Sequence, residues 1–312
     1  MLVVTATDGM VRVVERPRPT PGRGEIGIRV RAAGINAADL LQAAGRYPAP
    51  AGVPADILGL ELAGEVAEVG EGVLNFGLGD RVMAVVGGGC QAEYAVVDAS
   101  LAMAVPSRLN WEQAGALPEV FTTAYDALFA QCGLQMGDRL LVHGAAGGVG
   151  MAAVQLGVAC GAKVTATVRR SDHRPAIAAL GANVIAPADF GQAGPFDVIL
   201  ELVGAQNLAA NLDAIAVGGR IMVIGVGAGA KSEIDLRKLM ARRVRLSGST
   251  LRARPLSLRS LAARQVEHHV LPLVEAGMVK IPVFASYPLE DAATAYADFA
   301  AGGKLGKLVL RT

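Results

Sequence analysis

Two hydrophobic rhythms divide the chain near residue 115. Before it, Glu25-Ile26-Gly27-Ile28-Arg29-Val30-Arg31 alternates apolar and polar positions, and Leu62 to Val69 is rich in small and branched residues. Both patterns predict short strands on a half-buried pleated surface. Glycine clusters at Gly70-Glu71-Gly72, Gly77-Leu78-Gly79-Asp80 and Gly87-Gly88-Gly89 punctuate them as turns. From Trp111 a helical pattern runs past Thr122 to Gln131, and apolar strands then alternate with helices. The strands are Arg139–Val142, Lys163–Val168, Asn183–Ala186, Phe196–Glu201, Gly219–Gly225 and Val244–Ser249, as a doubly wound parallel sheet requires. The remainder predicts a helix around Leu256–Ala276, the segment Val283–Tyr287, a helix over Glu290–Ala301 and a strand Gly306–Leu310. The expected class is therefore α/β. A Rossmann domain over 116–253 would interrupt a β-rich domain built from 1–115 and 254–312, with a cleft between the two bodies.

The run Arg139-Leu140-Leu141-Val142-His143-Gly144-Ala145-Ala146-Gly147-Gly148-Val149-Gly150 reads as a buried strand, a glycine-rich turn and the start of a helix expected over Met151–Cys160. In the spacing G-x-G-x-x-G, Ala145 takes the first place, and Gly147 and Gly150 take the others. A tight turn lets backbone approach a pyrophosphate, and a helix N-terminus offers free N–H groups and partial positive charge. Gly147, Gly148 and Val149 are thus candidate cofactor-binding residues.

The strand after this helix ends in Val168-Arg169-Arg170-Ser171. NAD enzymes usually place Asp or Glu there, on the ribose 2′-hydroxyl. A carboxylate would repel a 2′-phosphate, whereas guanidinium groups pair with it. Arg169 and Arg170 therefore point to NADPH. Gly225 and Val226, at the C-terminal end of the fifth strand, lie where ligands meet an open α/β sheet.

Composition narrows the function classes. Of 312 residues, 52% are hydrophobic and 18% charged, as in compact enzymes rather than disordered chains. A net charge of +1 gives no electrostatic case for nucleic acid, and the basic run Arg237 to Arg264 reads as solvated helix faces with a subunit boundary. The N-terminus lacks signal-peptide features. The window Leu140 to Ala162 is apolar enough to mimic a membrane span, but its six glycines fit an internal α/β unit. Cys90, Cys132 and Cys160 form no C-x-x-C pair, and such unpaired thiols suit a reducing cytoplasm. His143, on the first strand of the nucleotide domain, reads as a packed residue, and adjacent His268 and His269 make a poor metal pair.

Gly34-Ile35-Asn36-Ala37-Ala38-Asp39-Leu40, Ile57-Leu58-Gly59-Leu60-Glu61-Leu62-Ala63-Gly64, Gly87-Gly88-Gly89-Cys90-Gln91-Ala92-Glu93-Tyr94 and Leu117-Pro118-Glu119-Val120-Phe121-Thr122-Thr123-Ala124 follow one another in order. The glycine turn, Ser249-Thr250-Leu251-Arg252-Ala253-Arg254 and Gly306-Lys307-Leu308-Val309 complete the series. In these runs the chain resembles the medium-chain dehydrogenase/reductase superfamily, and within it the zinc-free NADPH:quinone oxidoreductases. The resemblance implies a GroES-like catalytic domain beside the Rossmann domain. It also implies a homodimer, hydride transfer from NADPH to a quinone in the interdomain cleft, and a reaction site lined by Asn36, Tyr47 and Thr123. Thr123 would touch the nicotinamide, and Leu251 and Arg252 would also contact cofactor. No metal is expected. Asn36 lies in the segment that would carry a zinc-binding Cys in the alcohol dehydrogenase branch, Leu60 replaces the His of Gly-His-Glu, and the four-Cys structural lobe is missing. A Tyr that helps hold the 2′-phosphate in some relatives is also missing, since that segment is Ile185-Ala186-Pro187. Two alternatives stay open: a zinc-free enoyl or alkenal reductase, and a non-catalytic NADPH-binding protein.

Overall fold

The computed structural model describes all 312 residues, and they form two compact units. One comprises Met1–Thr122 with Leu251–Thr312, the other Thr123–Thr250. The division thus falls inside the helix Pro118–Tyr125 and just after the sixth nucleotide-domain strand, rather than at 116 and 253. Leu251 and Arg252 accordingly belong to the first unit.

In the first unit a seven-stranded sheet holds the strands Glu25–Gly34, Glu61–Val69, Arg81–Val85 and Tyr94–Asp98 in antiparallel pairing. The strand Glu25–Gly34 alternates as expected at its start: Ile26, Ile28 and Val30 are fully buried, and Arg29 is exposed. The C-terminal strand Lys307–Arg311 pairs antiparallel with the same strand, so the tail of the chain completes the sheet of its beginning. A separate hairpin, Leu2–Thr7 with Met10–Glu15, packs Val4 into a core with Leu58, Leu289 and Leu308. The expected long helix near residue 265 is two helices, Leu256–His269 and Leu271–Glu275. Pro272 accounts for the break, because it has no N–H to donate and its ring crowds the preceding turn.

The second unit is a six-stranded parallel sheet in the order Asn183–Ile185, Lys163–Thr167, Arg139–Val142, Phe196–Glu201, Ile215–Val223, Arg245–Gly248. Numbered along the chain this is 3-2-1-4-5-6, the doubly wound arrangement in which strand order reverses beside the first strand. Leu140, Leu141 and Val142 are fully buried, as a strand covered on both faces demands. The helix Gly148–Ala159 starts three residues earlier than its apolar pattern suggests, within the glycine turn itself. Arg245–Gly248 ends the sheet, with Val244 and Leu246 packed on the core and Arg245 and Ser247 exposed. No helix is long and apolar enough to cross a membrane.

Candidate active site

In the first unit, residues from four of the family-like runs meet in one buried polar network. The helix Ala37–Ala43 begins at Asn36, whose backbone N–H donates to Asp39 Oδ2 at 2.8 Å. The other Asp39 oxygen accepts from Gly59 N at 3.2 Å. Gly59 adopts φ +105°, and a Cβ there would stand 2.5 Å from Gln91 N, so only glycine fits. Asp39 is completely buried, and burial pushes its carboxyl up to about 7, against the opposing pull of its N–H partners and of Lys307.

Two residues beyond Gly59, Glu61 is also fully buried. Its Oε1 accepts from Asn36 Nδ2 at 2.9 Å and from Lys307 Nζ at 2.6 Å, and its Oε2 accepts from Glu119 N at 2.8 Å. Lys307 donates further to Asn36 Oδ1 at 2.6 Å and to Ile35 O at 3.1 Å. Gly34 makes room for this approach, since a Cβ there would lie 2.2 Å from Glu61 Oε1. Asn36, expected to line the reaction site, thus has its amide committed to Glu61 and Lys307. A catalytic zinc does not fit this donor set. Leu60 is buried in the core, Asn36 is spent, and an ammonium already stands against Glu61 and would repel a dication.

Tyr47 lies on the irregular stretch between the helix Ala37–Ala43 and the bridge residue Ile57. Its ring is half-buried, with the Arg252 guanidinium 4.9 Å from the ring centroid, and its carbonyl accepts from Arg252 Nη1 at 2.9 Å. Leu251 and Arg252 are both buried.

In the second unit the glycine turn has the geometry a dinucleotide requires. Gly144 turns the chain with φ +64°, Ala145 N donates to Thr167 O at 3.2 Å, and Gly147 caps the helix in an extended conformation. A Cβ on Gly150 would stand 2.5 Å from Gly144 O, so close strand–helix packing imposes that glycine. Gly147 is exposed, and no side chain caps the helix. The first N–H groups of a helix have no intrahelical acceptor, so Gly148 and Val149 present bare donors beside the point where strand order reverses. These residues fit a pyrophosphate.

The neighbouring strand end is held by a buried carboxylate. Glu201 Oε1 accepts from Val203 N at 2.7 Å and Gly204 N at 2.9 Å, and Oε2 accepts from Asn207 Nδ2 at 3.1 Å and Asn211 Nδ2 at 2.9 Å. Asn211 also meets His143 Nε2 at 2.8 Å, and His143 Nδ1 lies 3.1 Å from Thr167 Oγ1. Burial holds His143 below its usual pKa in spite of Glu201, so it is a packed neutral ring. The turn after Glu201 lies against Gly225, where a Cβ would approach Leu202 O to 2.3 Å. Val226 beyond it is exposed, and Thr123 is buried on the helix Pro118–Tyr125. Arg169 and Arg170 are exposed directly after the second strand, and Arg170 Nε donates to Asp172 Oδ1 at 3.1 Å. That pairing pulls Asp172 down to about 2.

Sequence reasoning gave Glu61, Lys307, Asp39 and Glu201 no role. The available signal was a charged residue inside an otherwise apolar run, as in Leu60-Glu61-Leu62 and Gly306-Lys307-Leu308.

Comparison with known proteins agrees with this architecture. Residues 22–107 match the alcohol dehydrogenase GroES-like domain, and residues 180–310 match the zinc-binding dehydrogenase family. Rat quinone oxidoreductase is 32% identical over 306 residues, covering 94% of this chain and 90% of that protein. A polyketide synthase of Streptomyces halstedii, GfsB, is 34% identical over 295 residues, covering 92% of this chain, which spans only 5% of the synthase. A mycobacterial structure complexed with NADPH superimposes with a TM-score of 0.89 at 27% identity over the full length of both chains. With its GroES-like and nucleotide-binding parts, its glycine turn and a full-length relative above 30% identity, the chain belongs to the medium-chain dehydrogenase/reductase superfamily, on the branch of the quinone oxidoreductases.

Proposed function

We propose that this oxidoreductase works without zinc and transfers hydride from NADPH to a quinone. The observation that carries the reading is the uncapped helix start at Gly147-Gly148-Val149, followed by Arg169 and Arg170 where an acidic ribose partner would stand. A quinone suits a site without a Lewis acid, because its carbonyls are electron-poor and reduction restores aromaticity. The bound cofactor would supply the hydride, and the protein supplies position and shielding. Thr123, Gly225, Val226 and Leu251 are the proposed flanks of the cofactor. Tyr47 is the proposed wall for the acceptor, and Asn36, locked by Glu61 and Lys307, is proposed to line the same site.

A second reading, reduction of an enoyl C=C bond with the same cofactor, takes its weight from the 34% identity to a stretch of a polyketide synthase. The proposal extends to a cytoplasmic homodimer, on the three free thiols and on the terminal strand Arg245–Gly248, whose outer edge a second copy would cover.

Steady-state turnover of quinones, enals and enoyl thioesters with NADPH and with NADH tests the reading. It expects quinones with NADPH to give the highest kcat/KM. Turnover of enoyl thioesters alone would favour the second reading, and cofactor binding without any turnover would leave a binding protein.

A further inference from the structure

Arg252 is only 5% exposed, and its guanidinium turns to two other segments of its own unit. Nε donates to Gly87 O at 2.7 Å, Nη1 donates to Tyr47 O at 2.9 Å, and Nη2 donates to Gln42 Oε1. The same group lies 4.9 Å from the centroid of the Tyr47 ring, so it holds this residue by its carbonyl and by its ring face together. Gln42 in turn donates from Nε2 to Ala55 O at 3.2 Å. Arg252 and Gln42 thereby tie both ends of the stretch 44–56 to the helix Ala37–Ala43 and to the glycine turn at Gly87.

That stretch needs such a tie. It contains no regular element, most of its residues are exposed, and a Cβ on Gly45 or Gly52 would meet nothing within 4 Å. Pro48, Pro50 and Pro54 stiffen its backbone but cannot donate hydrogen bonds. A planar guanidinium meets three acceptors and a ring face at once, whereas a lysine ammonium is a single point with no face to stack.

We propose that Arg252 is a positioning residue: it fixes the orientation of Tyr47 toward the hydride acceptor and does not itself hold the cofactor. The role rests on the reading of Tyr47 as the acceptor's wall. It predicts that losing Arg252 loosens residues 44–56 and weakens acceptor binding through Tyr47 alone.

The test combines hydrogen exchange of peptides covering 44–56 with KM for a simple quinone, kcat, and Kd for NADPH. The proteins are the full chain, Arg252→Met, Arg252→Lys, Tyr47→Ala and the double variant Arg252→Met with Tyr47→Ala. One lost charge-assisted hydrogen bond corresponds to roughly ten- to a hundredfold in a local opening equilibrium. Exchange in 44–56 should therefore accelerate by about that factor in Arg252→Met, and by less in Arg252→Lys. KM for quinone should rise several-fold with kcat and NADPH Kd nearly unchanged. The KM effect of Arg252→Met should vanish when Tyr47 is already Ala. Arg252→Lys keeps a buried cation and serves alone if Arg252→Met does not fold. Native exchange rates in the folded Arg252 variants, or an NADPH Kd that rises in step with KM, would overturn the proposal. If Tyr47→Ala itself leaves KM native, the acceptor reading of Tyr47 fails. The exchange data then still decide whether Arg252 anchors the stretch.

Discussion

Replacing Lys307 by Met should destabilise the first unit more than any substitution of an exposed charge. The side chain is 6% exposed and its ion-pair partner Glu61 is fully buried, so solvent cannot take over the lost contact. Three hydrogen bonds disappear, and the Glu61 carboxylate keeps only Asn36 Nδ2 and Glu119 N. Breaking one partner of a buried pair costs about 3–5 kcal/mol, because the other charge stays desolvated. In a cooperative unit of this size that loss corresponds to a Tm lower by roughly 6–20 °C. The assay is urea and thermal unfolding followed by circular dichroism at pH 7. The double variant Glu61→Gln with Lys307→Met should recover most of the loss, since neutral replacements of a buried pair are often tolerated. A Lys307→Met protein within about 1 kcal/mol of the parent at pH 7 would show that the buried pair does not hold this unit together.

Arg169→Ala with Arg170→Ala should raise the Kd for NADPH by roughly ten- to a hundredfold and leave NADH binding nearly unchanged. Equal losses by titration calorimetry would remove the 2′-phosphate assignment. Because burial raises Asp39 to about 7, its contribution to stability is complete below the ordinary aspartate range and is lost as pH rises toward 7. The stability difference between the parent and Asp39→Asn should therefore change steadily from about pH 4 to pH 7 and level off above, and a flat difference would contradict this burial. Light scattering at micromolar concentration should give the mass of a dimer, with the monomer mass as the contrary result.

The local patterns in the chain carried much of this architecture. The strand Arg139–Val142, its glycine turn and the following helix are adjacent in sequence, so hydrophobic rhythm and Gly147 and Gly150 revealed their order, though not the helix start inside the turn. The alternation of Ile26, Ile28 and Val30 likewise announced a half-buried strand. What pattern could not convey was pairing at long range. Lys307 and Glu61 are 246 residues apart, and each alone resembles a solvated charge in an apolar run. Arg252 sits 205 residues from Tyr47, in a segment adjoining the nucleotide domain, yet packs in the other unit. No local period records which strand the tail will join, so the burial of these charges became visible only with the fold.

Zinc-independent hydride transfer from NADPH to a quinone is the reaction proposed for this chain. It is tested most directly by following NADPH oxidation with one simple quinone before and after exhaustive treatment with a strong chelator, with zinc measured in the same samples. Equal kcat/KM is expected in both and no stoichiometric zinc in either, since the Lys307 ammonium already pairs with Glu61 and would repel a dication. Activity that disappears with the metal and returns on adding zinc, or a protein that oxidises no NADPH in the presence of quinone, would contradict it.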